Sequence, residues 1–336
     1  MKKAFLLLCT ALLLLGSILP LAGYRLARQA GTSFPEDSSS SESSSPSSSL
    51  PEAAHSGAEM DSDIFLVTDQ TTGEIQQVEK RAYVIGAVAA EMPVSWPDEA
   101  LKAQAVAAHS YVLYCRDHAA PNTGWLTADP ARRQGYLTDA VLRSYWGVDY
   151  EANYARLSAL VDSVLGQVLC YDDAPAGTSY FAISNGQTEA SETVWGSSLP
   201  YLVPVDSSAD RSADHYEYTV HLSSAQVSQQ LASGLGITAS GSPESWFGPS
   251  SLTSSGYVAS LSVCGQPISG PALRRALGLR SACFAITCQG DEFAITTRGY
   301  GHGVGMSQWG AKAMAEQGAF YAEILAHYFP GTELQE

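Results

Sequence analysis

Ten of the twelve residues from Ser38 to Ser49 are serine, broken only by Glu42 and Pro46. A run of that composition has no apolar side chains from which to build a core, so it divides the chain. The stretch from Thr32 to about Asp63 reads as a solvated spacer, and residues 64–336 as the part that can fold. Ahead of the spacer, Lys2 and Lys3 precede an uncharged stretch of 20 residues, Ala4 to Gly23. As a helix it would run roughly 30 Å, about one hydrocarbon core. Its end, Pro20-Leu21-Ala22-Gly23, is a poor match to a small-x-small cleavage site, and Arg25 and Arg28 follow. Residues 1–31 therefore read as a single N-terminal transmembrane helix with its flank, retained as a signal-anchor. The domain behind it is then extracytoplasmic on a cell membrane; secretion after signal cleavage is the alternative.

The folding part is acidic in its own right. The whole chain has 34 acidic and 18 basic side chains; without residues 1–63 there remain 27 and 14. Duplex binding needs basic surface to displace counterions, so nucleic acid is disfavoured as a partner. Binding to an anionic wall polymer must likewise rest on local contacts rather than bulk charge. Cys115, Cys170, Cys264, Cys283 and Cys288 follow the spacer. Five is odd, so their spacing describes no disulfide-built scaffold, and they read mainly as packing residues with one bridge possible.

Periodicity divides residues 64–336 into segregated strands and helices, an α+β domain. Arg81 to Ala90 is apolar and partly β-branched and ends before Pro93. A helix is expected next, capped by Ser95 with capping-box spacing to Asp98, its inner face carrying Leu101, Ala105, Ala108 and Val112 to about Arg116. Further helices are expected over Thr138 to Trp146, Ala152 to Leu165, Ser224 to Ala232, Ala272 to Leu277, Met306 to Gln317 and Tyr321 to Tyr328. Strands are expected over Gln167 to Tyr171, Thr178 to Ile183, Tyr216 to Leu222, Tyr257 to Val263, Cys283 to Thr287 and Phe293 to Thr297.

Three constellations carry polar groups in suggestive settings. Glu91 follows Gly86-Ala-Val-Ala-Ala and precedes Met92-Pro93. A carboxyl among apolar neighbours has its charged form disfavoured, which suits a general acid; a surface glutamate at a turn is the plain alternative. Glu99 sits in a first helical turn, where complementing the dipole is role enough. The second constellation runs Arg298-Gly-Tyr-Gly-His302-Gly-Val-Gly-Met-Ser307-Gln308-Trp-Gly-Ala. Its alternating glycines permit unusual backbone angles and close approach, yet it lacks Gly-Lys-Ser/Thr and Gly-x-Gly-x-x-Gly, so it is not a phosphate loop. His302, Ser307 and Gln308 are groups that bond sugar hydroxyls or orient a carboxyl, unless the histidine is a structural one in a turn. The third places Ser184, Asn185, Thr188, Glu189, Trp195 and Tyr201 close in sequence, a mixture of hydroxyl, amide, carboxylate and aromatic groups such as a saccharide groove uses. A plain turn at Asn185-Gly186 is compatible with that. There is no Gly-x-Ser-x-Gly, His-Glu-x-x-His or Cys-x-x-Cys pattern.

Tyr83-Val-Ile-Gly-Ala-Val-Ala-Ala-Glu91-Met-Pro, Glu99-Ala-Leu-Lys-Ala-Gln104-Ala-Val-Ala-Ala, Gly299-Tyr-Gly-His302-Gly-Val-Gly-Met-Ser-Gln-Trp-Gly-Ala-Lys312 and Tyr328-Phe-Pro-Gly331 closely resemble the stage II sporulation protein D and amidase-enhancer family. The resemblance spans roughly Phe65 to Leu334. It implies a domain that binds bacterial cell-wall glycan, with Glu91 matching the catalytic glutamate of sporulation members that are lytic transglycosylases. On that basis Gln104, Ser184, Thr188, Glu189, Trp195, His302, Ser307 and Gln308 are expected along a peptidoglycan groove. The setting implied is septal wall remodelling during sporulation and engulfment, with a cell-wall amidase and membrane partners in the complex. A non-catalytic glycan-binding enhancer of an amidase is the alternative, since both classes share these motifs. A structural wall-associated protein is the third. No cofactor is implied. Sporulation members carry a Cys and His zinc site, but Thr127, Arg132 and Arg133 stand where Cys, His and Cys would be expected, so no metal is predicted. His109-Ser110 replaces the usual Arg-Thr, a change expected to alter the groove.

Overall fold

A computed structural model describes residues 63–130 and 135–336. In chain order these contain strands β1 (Ile64–Asp69) and β2 (Ile75–Glu79), helices α1 (Lys80–Glu91) and α2 (Asp98–His118), β3 (Leu126–Ala128), α3 (Asp139–Trp146), α4 (Tyr150–Asp162), β4 (Val168–Tyr171), β5 (Ala174–Pro175), β6 (Tyr180–Phe181) and α5 (Ser191–Trp195). Then follow β7 (Glu217–Ser223), α6 (Ser224–Leu235), β8 (Phe247–Leu252), β9 (Val258–Val263), β10 (Gln266–Ser269), α7 (Gly270–Ala276), β11 (Phe284–Gln289), β12 (Glu292–Arg298), β13 (Met306–Ser307), α8 (Gln308–Glu316), α9 (Tyr321–Tyr328) and β14 (Glu333–Gln335). The fold is mixed α+β, as expected. Among the described residues no helix is long and apolar enough to cross a membrane. The predicted anchor over 4–23 and the serine-rich run lie outside the described residues.

Two large hydrophobic cores organise the described residues, beside a small cluster of Ile183, Ala213 and Tyr300. The larger surrounds α2, whose Leu101, Ala105, Ala108 and Val112 are all buried, together with Tyr83, Val84 and Val88 of α1 and Ile324, Leu325 and Tyr328 of α9. The small side chains of α1 and α2 let backbones come close: a Cβ on Gly86 would lie 2.2 Å from the Leu137 carbonyl oxygen, so that position accepts glycine alone. The second core lies between the sheets β11-β12-β7 and β10-β9-β8, with Val227, Leu231, Val263, Leu273, Phe293 and Ile295 at its centre. Residues 217–298 thus form a lobe inserted between the loop holding Ser184 and the glycine-rich segment.

The structure settles one segment whose type the sequence pattern does not name and corrects several local expectations. The apolar segment Arg81 to Ala90 is helical, its start capped by the Glu79 side chain accepting from Ala82 N at 2.8 Å. Helix α2 begins at Asp98 with Pro97 as its N-cap, and Ser95 does not cap it. Pro97 is extended (φ −55°, ψ 142°), so the helix starts only after it, with Pro97 O accepting from Ala100 N and Leu101 N. His109 and Ser110 do not face a groove. His109 is buried, stacks on Phe65 and bonds the Gln167 carbonyl through Nδ1, while Ser110 Oγ donates to Val106 O and accepts from Leu169 N. All five cysteines described are free thiols, and burial pushes the Cys115 thiol up to about 12.

Candidate active site

Three helices bring three polar side chains together. Glu91 closes α1, Gln104 lies in the second turn of α2, and Gln308 opens α8. Gln308 Nε2 donates to Glu91 Oε2 at 3.1 Å and lies 3.4 Å from Gln104 Oε1. Gln104 is fully buried and its Nε2 has no partner. Gln308 is therefore clamped between an amide oxygen and a carboxyl, which fixes the orientation of the carboxyl without neutralising it.

Burial raises the Glu91 pKa, and the hydrogen bond from Gln308 opposes this in part. Among the described residues no other charged group contributes to the shift. The helix end acts in the same direction: Glu91 sits where unsatisfied carbonyls point, and the last turn of α1 has no basic residue to offset them. Although protein surrounds its carboxyl, the residue keeps intermediate exposure, so the group remains reachable. Tyr180 and Tyr83 are near enough for the Glu91 charge to raise their phenols further, after burial as the main cause.

The glycine-rich segment is positioned by the chain itself. Ile183 and Tyr300 form an antiparallel bridge, β13 pairs in parallel with β6, and Glu189 bridges Val304. Gly305 has φ +79°, and a Cβ there would lie 2.1 Å from Ser179 O; Gly301 has φ +124°, with Phe181 Cβ only 2.6 Å away. What approaches these glycines is residues 179–181, rather than a ligand. Within the loop His302 is neutral: burial, then the nearby Arg274 charge, lowers its pKa to about 3. Its Nδ1 accepts from Val304 N at 3.1 Å, and its ring contacts Phe181 and Trp195 at 5.5 and 5.4 Å.

Ser184, Thr188 and Ser307, expected along the groove, are instead fully buried with their bonds made inside the protein. Asp210 Oδ2 gathers three donors, Ser184 N at 2.6 Å, Ser307 Oγ at 2.7 Å and Ser207 Oγ at 3.1 Å. Thr188 Oγ1 donates to Val203 O and accepts from Val205 N. These hydroxyls hold loops in place from behind. Glu189 is also buried; its Oε1 accepts from Ala190 N, while Oε2 has no partner. Glu99 does more than complement a dipole: it pairs with Lys102 at 2.9 Å and accepts from Tyr321 N at 2.8 Å, tying α9 to α2. No sequence pattern points to Asp210, nor to the packing of Trp96 edge-on to Trp309 at 5.9 Å beside Gln308, with Lys312 Nζ 4.6 Å from the Trp309 ring centre.

The family model described as SpoIID, stage II sporulation protein, matches residues 68–171, which include Glu91 and Gln104. The chain is 37% identical over 266 residues to stage II sporulation protein D of Bacillus amyloliquefaciens, covering 78% of this chain and 76% of that one. The chain belongs to the stage II sporulation protein D family. Identity to the protein of the same name from Bacillus subtilis (strain 168) is 36% over the same length. The amidase enhancer of Bacillus subtilis (strain 168) is 28% identical over 307 residues, which is 74% of this chain and 40% of that one. Among the described residues no group of three or more His, Cys, Asp or Glu is arranged to hold a metal. Arg132 and Arg133 lie outside the described residues.

Proposed function

We propose that the chain is a peptidoglycan lytic transglycosylase that cleaves the bond between N-acetylmuramic acid and N-acetylglucosamine, with Glu91 as its single acid and base. The observation that carries the reading is the Glu91 carboxyl: desolvated, pKa raised, held through Oε2 by Gln308, and coupled to no second carboxylate among the described residues. An ordinary glycosidase needs two carboxyls, roughly 5–9.5 Å apart. A transglycosylase uses the sugar's own 6-hydroxyl where a hydrolase uses water. Glu91 donates its proton to the glycosidic oxygen as the C1–O bond breaks, releasing the N-acetylglucosamine hydroxyl. The muramyl 6-hydroxyl then bonds to C1 and gives its proton to the Glu91 carboxylate, restoring the acid. The product is a 1,6-anhydro sugar, and no water is consumed. Gln308 orients the carboxyl, Gln104 orients Gln308, and His302 with Trp195 offers a neutral imidazole and an indole as groove wall.

The relatives' names, stage II sporulation protein D and amidase enhancer, support a setting in sporulation with an amidase as partner, and the glycan reading places that setting in the cell wall. The uncharged segment over 4–23 supports membrane anchoring, with the domain outside. A second reading, a non-catalytic glycan-binding enhancer, draws on the match to the amidase enhancer. Incubating the chain and its Glu91→Gln variant with amidase-treated peptidoglycan separates the two. Soluble glycan released by the first and not the second supports the enzyme; equal stimulation of an added amidase by both, with no release, supports the enhancer.

A further inference from the structure

Arg274 is a buried arginine without an anion. Only 8% of it is exposed, it makes no ion pair among the described residues, and the one hydrogen bond of its side chain there runs from Nε to Arg280 O at 3.2 Å. An unpaired guanidinium in a protein interior is expensive, and removing it from water is repaid only by a good acceptor. Around it the chain supplies donors. Arg280 O also accepts from Gly301 N at 2.9 Å, so the guanidinium is fastened to the glycine-rich loop between Tyr300 and His302. The Tyr300 hydroxyl is buried and has no partner. Arg280 stacks over Tyr218 at 3.7 Å and lies 5.4 Å from the Tyr300 ring, adding a second positive charge. Burial lowers the Arg274 pKa to about 10, with the nearby Arg275 lowering it further, and the causes include no carboxylate. Beyond Nε the guanidinium has no hydrogen-bond partner among the described residues.

This arrangement is unexpected in a chain of net charge −16, where carboxylates outnumber bases almost two to one. A group of donors without an acceptor is incomplete, and a guanidinium is suited to a planar or tetrahedral oxyanion. We infer that Arg274, with Tyr300 as second donor, binds an oxyanion of the substrate behind the glycine-rich loop, and that this anion is a carboxylate carried by the glycan. The inference rests on the glycan reading above, but not on catalysis by Glu91. It gives the inserted lobe a part in recognition, because α7 delivers Arg274 to a loop that the larger core holds in place.

The test is binding by the full-length chain in detergent, measured by titration calorimetry on the Glu91→Gln background so that no substrate is consumed. The probes are a muramic-acid-containing tetrasaccharide with free lactyl carboxylates, a chitin tetrasaccharide without carboxylates, and sodium phosphate. Glu91→Gln alone is expected to prefer the muramyl probe by roughly tenfold or more, the worth of one charge-assisted bond. Adding Arg274→Met should bring that ratio to about one, and Arg274→Lys should restore part of it. Phosphate competing with the muramyl probe would identify a general oxyanion site; no competition with the preference intact would identify a carboxylate read only within the glycan. The inference is overturned if the preference survives Arg274→Met in a protein whose melting temperature is unchanged, or if Arg274→Met raises the melting temperature and leaves the ratio as it was. Failure of both saccharides to bind would overturn the glycan reading instead.

Discussion

Replacing Gln308 by leucine removes the one hydrogen bond that opposes desolvation at Glu91. The leucine is apolar and one atom shorter than the glutamine, and it also takes from Gln104, whose Nε2 has no partner, the side-chain bond made by its Oε1. A hydrogen bond to a charged group contributes about 1.5–3 kcal/mol, and its loss moves the Glu91 pKa by that much differential free energy. The direction is upward, because the lost donor stabilised the carboxylate. Carbon-13 NMR of labelled glutamate reads the titration directly, with Glu91→Gln assigning the resonance, and does not depend on turnover. The activity profile should follow, its alkaline limb moving to higher pH by the same amount as the acid stays protonated longer. A resonance that titrates unchanged or lower in folded Gln308→Leu would refute the view that Gln308 holds the carboxyl and that burial is what raises it.

Because the folded pKa of Glu91 is raised, its ionisation destabilises the native state: the contribution is favourable below the ordinary glutamate range and is lost as pH climbs through the folded pKa. Glu91→Gln should therefore melt at least as high as wild type at neutral pH, the difference closing toward pH 4; a variant less stable at neutral pH contradicts this. Gly305→Ala, with φ +79° and Ser179 O at 2.1 Å from the new Cβ, should lower stability by about 2–4 kcal/mol by denaturant melts; a loss under 1 kcal/mol would mean the loop shifts freely. Asp210→Ala strands three donors and should cost several kcal/mol, at about 1–3 each, with Asp210→Asn recovering part. With Thr127, Arg132 and Arg133 in place of thiol and imidazole ligands, a chelator should leave the melting temperature unchanged and mass spectrometry should find no stoichiometric zinc.

Elements with a strong hydrophobic period are legible in the sequence. Helix α2 follows from Leu101, Ala105, Ala108 and Val112 on one face, and α9 from a run stopped by Pro330-Gly331. Where sequence pattern and fold part, tertiary context decides. Val84, Ile85 and Val88 are β-branched, yet burial of Tyr83 to Ala89 on all sides makes α1 helical. The strands Ile75–Glu79 and Phe247–Leu252 have no clean alternation, since Gly248 and Pro249 interrupt one and two glutamines sit side by side in the other; their partner strands impose them. At the site, Glu91 stands out because its sequence neighbours are apolar, and Gln104 and Gln308 because they lie in recognisable motifs. That Gln308 meets Glu91 from 217 residues away is a property of helix packing that no local pattern holds. Asp210 is hidden for the same reason. Ser184 and Ser307 look like sugar ligands only because the buried carboxylate that occupies them comes from another part of the chain.

The measurement closest to the central claim is mass spectrometry of the glycan ends that the chain leaves on amidase-treated peptidoglycan, beside the Glu91→Gln variant. Intramolecular attack by the 6-hydroxyl predicts muramyl ends lighter by one water than hydrolysed ends, with no label taken up from heavy-oxygen water, and none from the variant. Reducing muramyl ends that carry the solvent label would contradict the account, because they would show that water attacks and that a second group must activate it.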